Sequence, residues 1–101
     1  MDTRRASIHW IPVGDGGRHA PPPGPTYSTV ARFTALADRW PHEAWSVVLG
    51  INEPADGGGR MTATIRMLAG DAAPRGLLDA GSTFDLFEGS RCVAQGRVLE
   101  G

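Results

Sequence analysis

The chain has no lysine, since all ten basic residues are arginine. This excludes a phosphate-binding loop of the Walker type, which requires a lysine. The single cysteine, Cys92, excludes a disulfide within these 101 residues and indicates a reducing compartment, so we expect a cytoplasmic protein. A lone thiol in a strand-like run is more typical of a small buried hydrophobe than of a nucleophile. No run approaches the roughly 18 apolar residues of a membrane span, and no membrane is expected as a partner.

Net charge is also nearly absent. The formal charge is −1 at pH 7 and the isoelectric point is about 6.3. The whole chain therefore has no strong field for nucleic acid or anionic lipid, and no DNA partner is expected. At 101 residues the chain fits one domain, residues 1–101, with flexible ends expected at 1–6 and 100–101.

Six runs rich in β-branched and aromatic residues are separated by clusters of glycine, proline and aspartate, a pattern typical of a small all-β domain. The runs are 6–13, 27–33, 45–51, 60–68, 83–87 and 91–99. Segment 34–43 reads as a loop with one turn. Closing six strands removes the exposed edges of an open sheet. The sequence therefore predicts a closed, six-stranded antiparallel β-barrel.

The inward faces follow from alternation within these runs. Run 60–68 alternates strictly between apolar and polar residues, so one of its faces should be solvated. In run 27–33 we expect Tyr27, Val30 and Phe33 to face inward. In the last run we expect Val93 and Leu99 to share a face with Gln95 and Arg97.

Two motifs stand at the ends of the chain. The segment Gly16-Gly17-Arg18-His19 follows the first run, and a hairpin turn at Glu88-Gly89-Ser90 joins the last two runs. The glycines permit tight backbone turns, and the following prolines stiffen the loop. If the loop and the hairpin share one end of the barrel, their polar side chains lie close together.

The order of these motifs resembles the C-terminal β-barrel domain of elongation factor Tu. In that family a Gly-Gly-Arg-His-Thr-Pro loop follows the first strand, and the last hairpin reads Arg-Glu-Gly-Gly-Arg-Thr-Val-Gly-Ala-Gly-Val. Here Ala20 replaces the threonine and Ser90 replaces the second hairpin glycine. The matching hairpin positions are Glu88, Gly89, Arg91, Val93, Gly96 and Val98.

The resemblance implies a six-stranded antiparallel barrel that, in the family, packs on a guanine-nucleotide domain and helps to bind the T stem of aminoacyl-tRNA. GTP binding belongs to that other domain, so GTP is not an expected ligand here. Glu88 and Gly89 match positions that approach the tRNA backbone. Ser28 aligns with a family glutamine that assists there, and Thr26 replaces an arginine near the start of the second strand.

No pattern in the sequence indicates catalysis or a metal. The three histidines and Cys92 do not show the short spacings by which one element presents two ligands, so no metal or other cofactor is expected. Asp79, Asp85 and Glu88 are more typical of solvated carboxylates than of an acid–base pair. No serine has the strained-turn context of a nucleophile, and we expect no enzyme.

Tryptophans allow two interpretations. Trp10 and Trp45 lie in strand-like runs and are predicted to be core residues. Trp40 stands beside Arg39 in the irregular segment, where it is either a packing residue or an exposed recognition residue.

We therefore predict a non-catalytic binding module that docks a protein partner. The alternative hypothesis is binding of tRNA or another RNA backbone through loop 16–22 and hairpin 87–92. The candidate binding residues are Gly17, Arg18, His19, Glu88, Gly89, Arg91, Arg39 and Trp40.

Overall fold

The computed structural model describes residues 3–100 and shows a closed barrel of six strands in the order β1-β4-β3-β2-β5-β6. All neighbouring strands are antiparallel. The strands are β1 (Arg4–Trp10), β2 (Thr26–Phe33), β3 (Trp45–Gly50), β4 (Arg60–Met67), β5 (Thr83–Glu88) and β6 (Arg91–Val98). Short 3-10 helices span Val13–Asp15, Thr34–Arg39 and Gly70–Ala72. The predicted all-β barrel is confirmed.

The core fills the barrel interior with the apolar residues of each alternating strand. In β4, Ala63, Ile65 and Met67 are buried and Arg60 and Thr62 are exposed, as the strict alternation predicts. The largest side chains of the core that are fully buried are Phe33, Phe84, Ile8, Leu49, Ile65 and Leu86. None of the helices in residues 3–100 is long and apolar enough to cross a membrane.

The inward face of β2 differs from the prediction at one position. Tyr27 and Phe33 point toward the core as expected, and Ala31 is the buried residue between them. Val30 was wrongly placed inward: it lies on the opposite face from Ala31 and pairs with Phe87 of β5. Side chains alternate between the two faces along a strand, so Val30 must face outward because Ala31 and Phe33 face inward.

The last strand contains a β-bulge that changes which side chains face the core. Phe87 pairs with Cys92, but the preceding Leu86 pairs with Ala94, so Val93 is the extra residue. Val93 and Ala94 are both fully buried. Gln95 and Arg97 are exposed, so the predicted face shared by these two residues with Val93 was wrong. The bulge reverses the alternation beyond Val93.

The amino-terminal boundary also needs correction. Residues 4–6 are strand rather than a flexible end: Arg4 pairs with Ile65, and Ala6 is fully buried. The amide of Leu99 donates to the carbonyl of Arg5 at 2.8 Å. Pairing on both sides holds this segment in the barrel. Residues 1, 2 and 101 of the predicted ends lie outside the described residues.

Candidate functional site

The antiparallel order brings the two sequence motifs to one end of the barrel. Strand β1 ends there and β6 begins there, so loop 11–25 lies beside hairpin 88–91. We call these two segments the capped end. In the hairpin, Glu88 pairs with Arg91, and Gly89 has a φ of 62°, which suits the first central position of a type II′ turn.

Loop 11–25 is tied to the barrel by its own backbone. The amide of Ile11 donates to the carbonyl of Val93 at 2.9 Å, and the amide of Arg18 donates to the carbonyl of Ile11 at 3.0 Å. Gly17 donates to the carbonyl of Pro12 at 3.0 Å and is buried. These hydrogen bonds hold the loop in one conformation across the end of the barrel.

Arg18, Tyr27 and Glu88 form the centre of the capped end. Nη1 of Arg18 and the hydroxyl of Tyr27 both donate to Oε2 of Glu88. The Arg18 guanidinium also lies over the Tyr27 ring, 5.4 Å from its centroid, and Nε donates to the carbonyl of Ala20 at 2.9 Å. The arginine thus joins the loop to both the hairpin and β2. Its charge is neutralised within the molecule by Glu88.

Three further contacts surround this centre. Nη1 of Arg91 donates to the carbonyl of Gly17 at 3.2 Å, which is a second tie between the hairpin and the loop. The Tyr27 ring meets Trp10 edge to face, with centroids 5.3 Å apart. Nε1 of Trp10 in turn contacts the sulfur of Met61 at 2.9 Å. The capped end is therefore continuous with the core.

The electrostatics of this group follow from its hydrogen bonds. Burial, together with the bond to Glu88, raises the pKa of Tyr27 to about 12. The hydrogen bond from Tyr27, helped by the Arg18 guanidinium, holds the pKa of the Glu88 carboxyl below its usual range. Glu88 therefore stabilises the fold at neutral pH, and its contribution is lost as the pH falls below the ordinary carboxyl value of 4.5.

The raised pKa of Tyr27 predicts a specific alkaline transition. Unfolded chains ionise tyrosine near pH 10.0, whereas the folded chain should hold its proton until about pH 12. The stability contributed by this group is full below pH 10.0 and is lost as the pH rises toward 12. Tyr27 is the only tyrosine, so the ultraviolet absorbance of tyrosinate measures this one group.

The Glu88→Gln variant is the control for this titration. It removes the negative charge beside the phenol, so the tyrosine pKa should move back toward 10.0. A folded wild-type chain that ionises with a midpoint of 10.0 would contradict the partly buried hydrogen bond from Tyr27 to Glu88.

The structure brings together Gly17, Arg18, Glu88, Gly89 and Arg91 from the predicted set. His19 belongs to the same loop and is exposed. Sequence reasoning missed Tyr27, which it assigned only to the core. Its place at the start of β2, directly after the loop, is the signal that could have indicated this role.

Arg39 and Trp40 lie on the outer surface of the barrel, outside loop 11–25 and hairpin 88–91. The Trp40 ring packs at a tilt of 36° on Phe87, the residue directly before Glu88, with centroids 4.9 Å apart, which is the contact that the packing interpretation predicts. Arg39 is exposed and pairs with Glu43 at 3.3 Å. A recognition role for this pair stays a prediction.

The chemistry of the remaining candidate groups is limited. Within residues 3–100 no three His, Cys, Asp or Glu side chains converge on a common metal position. Burial, together with the negative charge of Asp85, raises the pKa of the Cys92 thiol. Since the thiolate is the reactive form, this environment disfavours Cys92 as a nucleophile.

The sequence matches no protein-family model, and no curated protein matches it. The resemblance to the elongation factor Tu barrel therefore depends on the loop and hairpin motifs.

Proposed function

We propose that this chain is a non-catalytic binding module that docks a protein partner through the capped end, as a barrel of the elongation factor Tu third-domain type. The observation that carries the proposal is the internal pairing of Arg18, Tyr27 and Glu88, which holds the loop and hairpin together. A cytoplasmic setting belongs to the same proposal, on the ground of the single cysteine.

Preorganisation is the physical reason for favouring docking. Binding ordinarily costs the ordering of loops at an interface, and a loop that is already bonded to the barrel avoids much of this cost. The tips of the capped end remain accessible around the fixed centre. These exposed residues are His19, Ala20, Pro23, Gly89, Ser90 and Arg91.

RNA binding through the same loop and hairpin has less support. A phosphate requires free cationic donors, but Arg18 is already paired with a carboxylate. The Glu88 carboxylate would also repel a phosphate placed against Arg18. A protein surface, unlike an RNA backbone, is not uniformly negative.

Site-specific photocrosslinking tests the proposed docking. A photoreactive residue replaces His19 in the full chain, and the matched control carries it at Ala72, which is exposed at the opposite end of the barrel. We expect one discrete protein adduct from position 19 and none from position 72. The identified partner, once purified, should bind the Arg18→Ala variant about tenfold more weakly than the wild type.

Other outcomes count against protein docking at this end. Equal labelling from positions 19 and 72 would indicate nonspecific contact. An adduct that ribonuclease removes would favour the RNA alternative. Binding of the purified partner that is unchanged in Arg18→Ala would separate the partner from the capped end.

A further inference from the structure

The outer surface formed by β4, β1 and residues 95–97 of β6 carries polar and cationic side chains. These residues alternate with apolar or small residues that face the barrel interior. We call this surface the cationic face. Its members are Arg60, Thr62, Thr64 and Arg66 of β4, Arg5, Ser7 and His9 of β1, and Gln95 and Arg97 of β6.

The strand register distributes the arginines evenly over this face. Arg5 is paired with Thr64, Arg97 with Ser7, and Arg60 with His9. Arg66 lies two residues beyond Thr64 on β4. Each of four successive rows therefore holds one arginine, and successive rows are about 7 Å apart along an extended strand.

None of these arginines forms an ion pair with a carboxylate within 4 Å among the described residues. Among residues 3–100 the ion pairs involve Arg18, Arg32 and Arg39, and none includes an arginine of the cationic face. No outward position of the face holds a carboxylate. A chain of net charge −1 thus places four arginines that form no ion pair on one side.

Carboxylates of loop 51–59 border the cationic face, and on the β5 side Asp85, which is paired with Arg32, lies beside Gln95. A groove runs between the face and loop 51–59, and its walls include Arg5 and Arg60 on one side and Glu53 and Asp56 on the other. Oδ1 of Asp56 accepts hydrogen bonds from the amides of Gly58 and Arg60, both at 2.9 Å, and these bonds hold the pKa of Asp56 below its usual range. Glu53 and Asp56 therefore form a negatively charged rim beside the arginines of the cationic face.

This pattern of two signs discriminates between partners. A nucleic-acid backbone is uniformly negative, so the acidic rim would repel it where the centre attracts it. A protein surface can carry acidic residues opposite the arginines and a basic residue opposite the rim. Arginine also suits carboxylates, which it binds with two parallel hydrogen bonds.

We propose that the cationic face binds an acidic patch of a protein partner, with a basic residue of that partner against Glu53 and Asp56. None of the residues of the face belongs to the capped end. The proposal therefore stands independently of docking through the capped end, and the variants that test it, at Arg97 and Arg5, lie outside that end.

Titration of the full chain with synthetic probes tests this surface. The main probe is a labelled peptide with glutamates in its centre and one lysine at each end. Its counterpart has glutamine in place of glutamate, and a third probe is an RNA duplex. We expect the glutamate peptide to bind more tightly than both other probes. Its affinity should fall when salt rises from about 50 to about 200 mM.

The variants compare equal changes of charge at two places. Arg97→Glu alters the cationic face, and Arg75→Glu makes the same change at an exposed loop position outside it. We expect Arg97→Glu to weaken binding of the glutamate peptide about tenfold and Arg75→Glu to leave it nearly unchanged. Arg5→Glu is a second variant of the face in case Arg97→Glu does not fold.

Three outcomes would overturn the proposal. Equal weakening by Arg97→Glu and Arg75→Glu would mean that only net charge matters. Tighter binding of the RNA duplex than of the glutamate peptide would assign the face to nucleic acid. The absence of salt-sensitive binding of the glutamate peptide would leave the face without the proposed partner.

Discussion

The Phe84→Ala variant should lose about 3 to 5 kcal/mol of unfolding free energy, because truncating a buried aromatic leaves a cavity. The side chain of Phe84 is 2% exposed. Its ring packs against Phe33, with centroids 5.6 Å apart. It also covers Gly96 on the neighbouring strand, where an added Cβ would lie 2.3 Å from Cζ of Phe84. Alanine cannot fill this space between β5 and β6.

Denaturant unfolding measures this effect, with Leu68→Ala as the matched control. Leu68 is 56% exposed, so its truncation should change the unfolding free energy by no more than about 0.5 kcal/mol. Domains of this kind have only about 5 to 15 kcal/mol in total, so Phe84→Ala should unfold at much lower denaturant. Equal losses in the two variants would contradict the packing of the barrel interior.

The Gly17→Ala variant should displace loop 11–25 and destabilise the fold by about 1 to 3 kcal/mol. An added Cβ at Gly17 would lie 1.8 Å from the carbonyl oxygen of Ile11, which is a backbone atom and cannot rotate away. The same carbonyl accepts the hydrogen bond from the amide of Arg18. Moving it therefore disturbs the bond that positions Arg18 over Tyr27.

Gly14→Ala is the control for this variant because it changes the same loop. An added Cβ at Gly14 has no neighbouring atom within 4 Å. Denaturant unfolding compares the two stabilities, and hydrogen exchange of the Arg18 amide reports the loop itself. Gly17→Ala should accelerate that exchange, and Gly14→Ala should leave it near the wild-type rate. Similar rates in both variants would mean that the close approach of Gly17 to Ile11 does not hold the loop.

Much of the barrel was predictable from local patterns. Alternation in β4 determines its buried face, because successive side chains of a strand point to opposite sides. The Glu88 to Arg91 hairpin follows from a turn glycine between two strand-like runs. Both properties depend only on residues that are close in sequence.

The errors have a common physical cause. The bulge at Val93 depends on how β6 aligns with β5, and Val30 was misplaced because the residues of β2 carry a weak alternation of hydrophobicity. Neither a bulge nor a weakly patterned strand is resolved by period-two counting alone. The partner strand decides both cases.

The candidate sites likewise depend partly on local sequence and partly on how the strands pair. By itself the sequence determined a β-rich chain with a rigid polar loop, a terminal hairpin and one polar face on run 60–68. Only the tertiary structure decided that Arg18 and Tyr27 share Glu88, and that β1 lies between β4 and β6 so that their arginines form one face. Local conformation depends on residues that are near in sequence. The bonds to Glu88, by contrast, join positions 61 and 70 residues apart. The cationic face likewise depends on the order of the strands around the barrel.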